Sequence, residues 1–172
     1  MKENRSLILR SNRFMASYLL EKGMITNADV EAANEKFMGA IQSTSTYKNT
    51  SMLKMLVHDL KAMDENVLLS HIVDEYELGL VDLDQIDLKE PLSVEMDLAL
   101  CWTTMTVPFD VVDQTFMLAT CYYVSSPTLK YWETFLGGKV LWYATSMVSI
   151  TNYLERIDNL PSDNNADSED GE

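Results

Sequence analysis

The apolar positions of this chain change their period, and the changes mark its elements. From Thr106 the period is that of a strand: Val107, Phe109 and Val111 alternate with polar or small neighbours. Asp113-Gln114 supplies a tight turn, and Phe116, Leu118 and Cys121 lie in a second β-favouring run. The period then becomes helical. Pro127 suits the first turn, where its missing N–H has no intrahelical partner anyway. Leu129, Trp132, Phe135 and Leu136 follow at helical spacing, and Gly137-Gly138 stops the helix. Val140 to Tyr143 form a last apolar strand. Two strands joined by a helical crossover are expected to be parallel, with a right-handed crossover. The rest of the chain is expected to be arranged around this unit, Thr106 to Ser146.

The N-terminal half is helical by the same reading. Arg13 to Lys22 reads as a short helix with Phe14, Met15, Tyr18 and Leu19 on one face, ended by Gly23. Thr26 with Asp29 three residues on is close to a capping box, and the helix behind it turns Val30, Ala33, Phe37 and Met38 inward. Gln42 to Ser51 is polar and poor in both helix and strand signals, and reads as a flexible linker. The pattern then repeats. Ser51 is placed to cap a helix bearing Leu53, Leu56, Val57 and Leu60, and Asp64 a helix bearing Val67, Leu68, Ile72 and Tyr76. Met24-Ile25-Thr26 corresponds to Ala62-Met63-Asp64, an offset of 38 residues. A short amphipathic helix pair cannot bury its own face, so the pairs should pack on each other or on the sheet.

Leu78-Gly79-Leu80-Val81-Asp82-Leu83 reads as a hinge between the halves, with a short strand at Val81 to Leu83. Ser93 is placed to open a helix through Met96, Leu98, Leu100 and Trp102. Ser146 caps the last helix, bearing Val148, Ile150, Leu154 and Ile157, and Pro161 marks the end of the folded region. The expected fold is α+β: a helical subdomain at 1–78 with two repeated helix pairs, an α/β subdomain at 79–157 with a β-hairpin and a βαβ crossover, and a disordered acidic tail at 158–172.

Composition narrows the partners. Hydrophobic residues make up 47% of the 172, enough for a sizeable core, and 27 acidic against 13 basic residues give a net charge of −14. Six of the acids (Asp158, Asp163, Asp167, Glu169, Asp170 and Glu172) lie in the last fifteen residues, which hold no base. The remainder is still acidic. That balance argues against nucleic acid, whose affinity comes mainly from phosphate contacts, and against docking on anionic lipid by charge alone. No apolar run is long enough for a signal sequence or a membrane span, so the chain is expected to stay in the cytoplasm without inserting in a membrane. Cys101 and Cys121 have no metal or redox spacing and read as buried thiols. The Asn4-Arg5-Ser6 and Asn49-Thr50-Ser51 sequons have no meaning without secretion.

Four stretches together resemble the N-terminal domain of the type II secretion and type IV pilus assembly ATPases, the general secretory pathway protein E family. Leu19-Leu20-Glu21-Lys22-Gly23-Met24-Ile25-Thr26 looks like the family's L-V-E-K-G-L-I-T helix break. Leu78 to Leu83 is similar to the G-L-P-F-V-D-L that opens its second half. Val107-Pro108-Phe109 stands where the family has V-L-P-L. Thr134-Phe135-Leu136-Gly137-Gly138-Lys139-Val140, followed by Ala144-Thr145-Ser146, resembles F-L-T-G-x-x-V and the A-S after it. The likeness runs over roughly residues 7 to 157.

Two departures qualify what the resemblance implies. The sequence stops where the family's ATPase domain would begin, and it lacks the G-x-x-x-x-G-K phosphate loop with its following hydroxyl. Gly137-Gly138-Lys139 has no upstream glycine and is followed by Val140, so it is better read as a helix stop. Some members also bind cyclic di-GMP through a repeated motif that opens with R-L-G and ends in glutamine. Here the first copy offers Phe14-Met15-Ala16, ending at Phe37, and the second Met52-Leu53-Lys54, ending at Glu75. The arginine, glycine and glutamine are missing from both, and Glu75 would repel phosphate. Arg13, one residue before the motif position, offers the only shifted register.

Other candidate chemistry reads as structural. His58 and His71 fall opposite Leu20 and Ala33 of the first repeat, without further ligands at metal spacing. Asp82, Asp84 and Asp87 lack the glycine and distal glutamate of a calcium loop. No GxSxG or Cys/His signature marks a nucleophile. No catalytic, cofactor-binding or metal residue is assigned. The eleven methionines, with Tyr122, Tyr123, Tyr131 and Tyr143, form either an adaptable binding surface or core filling.

The expected function is that of a non-enzymatic, cytoplasmic, bacterial protein–protein interaction module. By resemblance it would dock on a secretion or pilus platform component at the inner membrane, or on a motor ATPase. The alternatives are a cyclic di-GMP-binding regulatory domain and a small acidic secretion chaperone.

Overall fold

The computed structural model describes residues 4–43, 47–88, 96–122 and 125–160. Helix α1 (Arg5–Glu21) starts eight residues before the expected Arg13, because Leu7, Ile8, Ser11 and Asn12 are already buried. It ends at the predicted break. Gly23 takes a left-handed φ of 69° and bonds to the Leu20 carbonyl, and the Met24 N–H returns 2.9 Å to the Leu19 carbonyl. At Thr26 the capping box is reciprocal: the Asp29 carboxylate accepts the Thr26 N–H at 2.8 Å, and the Thr26 hydroxyl accepts the Asp29 N–H at 3.3 Å. Helix α2 (Asn27–Ser43) follows, burying Ala33, Phe37 and Ile41.

The second copy shows the same break with a distortion. Helix α3 (Met52–Lys54) passes into a π-helical turn, Met55–Asp59. Ser51 stands at its N-cap position, but its side chain makes no cap hydrogen bond. Lys61, the counterpart of Gly23, is also left-handed at φ 51°. Asp64 does cap helix α4 (Glu65–Tyr76), accepting the Asn66 N–H at 2.8 Å. Leu68 and Ile72 point inward as expected, whereas Val67 is exposed. The described end of the stretch read as a flexible linker is anchored: Tyr47, Thr50 and Ser51 are buried, and left-handed Tyr47 and Asn49 fold the chain into a turn.

The sheet has order β1-β4-β3-β2. Strand β1 (Gly79–Leu80) lies where a hinge was expected, parallel to β4 (Lys139–Ala144). The strand expected at Val81 to Leu83 is instead a turn. Asp82 accepts the Asp84 N–H and starts a 3-10 turn (Leu83–Gln85), while Ser149 takes the Leu83 N–H at 2.8 Å. Helix α5 (Leu98–Thr104) is capped by Asp97; the expected cap, Ser93, lies outside the described residues. Strands β2 (Thr106–Val112) and β3 (Thr115–Thr120) form the hairpin, with Asp113 and Gln114 both at positive φ, as a tight hairpin turn with right-handed twist requires.

One part of the strand pattern is broken by geometry. Val107 faces Ala119 and Val111 faces Phe116, residues on opposite sides of β3, so Val107 and Val111 do not share a face. Phe109 is the extra residue of a bulge between Pro108 and Asp110 on this edge strand, a position that tolerates the missing proline N–H. Its ring stays buried, edge-on to Tyr143 at 5.5 Å.

Helix α6 (Ser126–Leu136) then crosses to β4, which pairs parallel with β3 as expected. The Ser125 hydroxyl caps it, and left-handed Gly137 ends it. Helix α7 (Met147–Asp158) is capped by Ser146 and by a carboxylate from elsewhere: Glu65 accepts the Met147 N–H at 2.6 Å. Asp158 closes this helix and pairs with Lys48 at 3.4 Å, so the helix reaches one residue into the stretch read as tail. Val148, expected inward, is exposed. Residues 161–172 of the expected tail lie outside the described residues. The architecture is the α+β class expected, with a helical N-terminal half and the sheet in the C-terminal half.

The two halves are joined through α1. Asn12, 3% exposed, donates to the Ile8 and Thr103 carbonyls and accepts the Met52 N–H, tying α1 to α3 and α5. Ser11 shares a hydrogen bond of 3.0 Å with Thr128 of α6. A common core fills the interior, with Trp102, Trp132, Tyr153 and Phe37 fully buried.

Candidate functional site

The positions of the dinucleotide motif are mostly packing positions. Met15, Ala16 and Phe37 of the first copy and Met52 and Leu53 of the second are buried among apolar side chains. Such sites hold no ligand without unpacking the core. Lys54 bonds to the Asn49 side chain at 2.8 Å. Glu75 faces Lys22, the residue that caps the C-terminus of α1, at 3.0 Å, and this hydrogen bond holds the carboxyl below its ordinary value and the Lys22 ammonium above its own. Arg13, the shifted-register alternative, is exposed on α1.

Next to that ion pair lies a polar aromatic cluster that links the first and second helix pairs. His71 Nε2 is 2.7 Å from the Tyr18 hydroxyl, to which Tyr76 donates at 2.8 Å. The Lys22 ammonium sits 5.5 Å from the centre of the Tyr18 ring. His58 is elsewhere, on the rim of a cavity of about 460 Å³ with Lys61 and Asp64. The histidines thus have separate surroundings, and among the described residues no three His, Cys, Asp or Glu gather to hold a metal ion.

Two of the three clustered acids are tied to α7. Asp82 accepts from Ser149 at 3.4 Å, Asp84 accepts from Asn152 at 3.2 Å, and Arg156 donates to the Leu83 and Ile86 carbonyls. Both thiols are buried, and burial pushes each well above its ordinary value, so neither is poised as a nucleophile. The described methionines are all buried or half-buried, the core-filling arrangement. Tyr122 is buried, Tyr131 and Tyr143 are half-buried, and Tyr123 lies outside the described residues. Gly138 and Lys139 lead into β4, and the Val140 that follows pairs with Phe116, which leaves a β ladder where a phosphate loop would need a helix N-terminus. Among the described residues no helix is long and apolar enough to cross a membrane.

Sequence reasoning singled out Tyr131 and passed over the polar groove-forming residues around it on α1 and α6, Arg10 and Lys130 among them. Its signal was available: Ser6, Arg10, Lys130 and Thr134 are polar positions beside the apolar stripes of two helices that pack together.

No known family profile and no curated protein sequence matches the chain. Its fold is found among solved structures. The N-terminal domain of XpsE is similar over 81% of this chain and 91% of that chain, with a TM-score of 0.53 at 17% identity. MshE with cdg aligns over 83% of this chain and 96% of that chain at 14% identity, with a TM-score of 0.49. At these identities the likeness to XpsE establishes the fold.

Proposed function

We propose that this chain is a non-enzymatic, cytoplasmic interaction module of a bacterial type II secretion or type IV pilus system. In this reading it docks on a platform component at the inner membrane or on a motor ATPase. The observation that carries it is the fold shared with the N-terminal domain of XpsE, along the same stretch in which four sequence segments resemble the secretion and pilus ATPases in order and spacing. The buried dinucleotide-motif positions favour protein binding over nucleotide binding. Fold alone is an analogy for function, and the motif-by-motif order is what strengthens it.

The test is affinity purification of the tagged chain from its native host in mild detergent, with mass spectrometry of the co-eluting proteins. Platform proteins or a motor ATPase are the expected result. A soluble secreted substrate recovered in their place would make the chain a chaperone. A thermal shift with cyclic di-GMP completes the test: the reading expects an unchanged midpoint, and a rise that grows with ligand concentration would overturn it.

A further inference from the structure

Helices α1 and α6 enclose a groove of about 790 Å³, with Leu7 and Arg10 on one wall and Lys130, Tyr131 and Phe135 on the other. Tyr131 and Phe135 are half-buried and stacked, with ring centres 5.6 Å apart and planes 10° from parallel. Arg10 and Lys130 are exposed. The lining contains both cations and no carboxylate, in a chain that carries 27 acids and 13 bases. Elsewhere three of the cations are paired: Lys22, Lys36 and Lys48 each face an acid. No ion pair engages Arg10 or Lys130 among the described residues. At the groove's end Asp97 accepts the Asn4 amide at 2.7 Å and the Leu100 N–H at 3.2 Å, both neutral donors, so one carboxylate stands there against the two cations. The N-terminal end of α6, at Ser126 and Pro127, adds partial positive charge on the same side.

The geometry points to an acidic peptide segment of the docking partner, with carboxylates beside a bulky apolar side chain, as the occupant of this groove. The inference rests on the interaction-module reading and names the surface and the partner chemistry for it. The half-buried ring pair offers the apolar contact area from which affinity comes, and the two cations select the sign of the partner. Neither cation is buried, and the stacked rings already face each other, so the groove suits an extended peptide better than an inserted base.

The test uses fluorescence anisotropy on the full chain with labelled decapeptides in which Glu pairs flank Phe, Tyr or Leu, and with the same peptides carrying Lys. The acidic series is expected to bind saturably and to weaken more than tenfold in Arg10→Glu and in Lys130→Glu, both with unchanged far-ultraviolet circular dichroism. The Lys series is expected not to bind. Absence of saturable binding, or affinity unchanged by both charge reversals, overturns the proposal. So does binding that emerges only when Asp163, Asp167, Glu169, Asp170 and Glu172 are replaced by Asn or Gln, since the chain's own acidic end would then be the occupant. Recovery of platform proteins by the charge-reversed variants would overturn the groove assignment and leave the module reading standing. Peptide binding by a chain that recovers no platform protein would do the reverse.

Discussion

The Tyr18 hydroxyl and the His71 Nε2 atom lie 2.7 Å apart, joining α1 to α4 across 53 positions of sequence. The rings are also in contact, with centres 5.9 Å apart, and Tyr76 closes the cluster from the end of α4. The Lys22–Glu75 ion pair lies beside it, and Asn12 accepts the Met52 N–H further along α1, so the two repeated helix pairs meet through polar groups as well as apolar ones.

A partly buried hydrogen bond of this kind is expected to contribute about 1 kcal/mol. Tyr18→Phe and His71→Ala should each destabilise the chain, and the double variant should lose less than the sum. Urea unfolding of all four proteins gives the coupling, expected at about 0.5–1.5 kcal/mol. A coupling of zero would show that the pair is juxtaposed without being linked.

The internal repeat makes a prediction with two signs. Gly23 and Lys61 occupy the same left-handed position 38 residues apart, but only glycine is at ease there. Lys61→Gly should therefore stabilise and Gly23→Ala destabilise, each by about 1 kcal/mol. A Cβ on Gly23 would meet nothing within 4 Å, so its cost is conformational and not steric. Thermal midpoints moving in opposite directions would support the equivalence of the two breaks; movement in the same direction would end it.

Gly137 and Gly138 read as one helix stop, and the structure gives them different tasks. Gly137 holds the left-handed φ of 65° with open space around it. A Cβ on Gly138 would lie 2.5 Å from the Gln114 carbonyl oxygen and 2.8 Å from the Phe116 ring. Backbone cannot yield as a flexible side chain does. Gly138→Ala is therefore expected to cost more than Gly137→Ala, about 1–3 kcal/mol against about 1. Chemical unfolding of the two variants ranks them, and the reverse order would mean that the hairpin turn shifts freely.

How much of this was legible follows from which interactions are local. The hairpin turn, the Thr26 capping box and the Asp64 cap depend on residues within a few positions of each other, and the parallel β3–β4 pair follows from the helix between the strands; each stands where the sequence placed it. The start of α1 was missed because Ser11 and Asn12 look like surface residues, and their partners Thr128, Thr103 and Met52 are remote in sequence. The bulge at Phe109 was hidden for a related reason: alternation reports the side of the strand only while the register is unbroken. Val67 and Val148 are apolar residues on the outward faces of their helices, which periodicity alone cannot distinguish from core positions at the edge of a stripe. The groove was legible in residue type but not in position, since it needs α1 and α6 side by side.

Buried acids of very weak strength give the chain a predictable response to alkali. Burial pushes the Tyr122 phenol up to about 12, and the nearby hydroxyls of Thr128 and Thr106 oppose this without cancelling it. Burial likewise lifts Tyr153 to about 12 against the Arg156 guanidinium, 5.3 Å from its ring. The Cys101 and Cys121 thiols are raised by burial as well. In each case the folded chain keeps a proton that the unfolded chain releases, so stability is fully present below the unfolded values. It falls as pH rises through them, from about 8.5 for the thiols and about 10 for the phenols, until the folded values are passed. The urea midpoint is therefore expected to be flat near neutrality and to drop progressively between about pH 9 and pH 12. Each group adds up to about 1.4 kcal/mol per pH unit within its window. Tyr122→Phe should shallow the fall above pH 10 without altering its onset, which the thiols set. An identical slope in the variant would mean that Tyr122 reaches solvent before the chain unfolds.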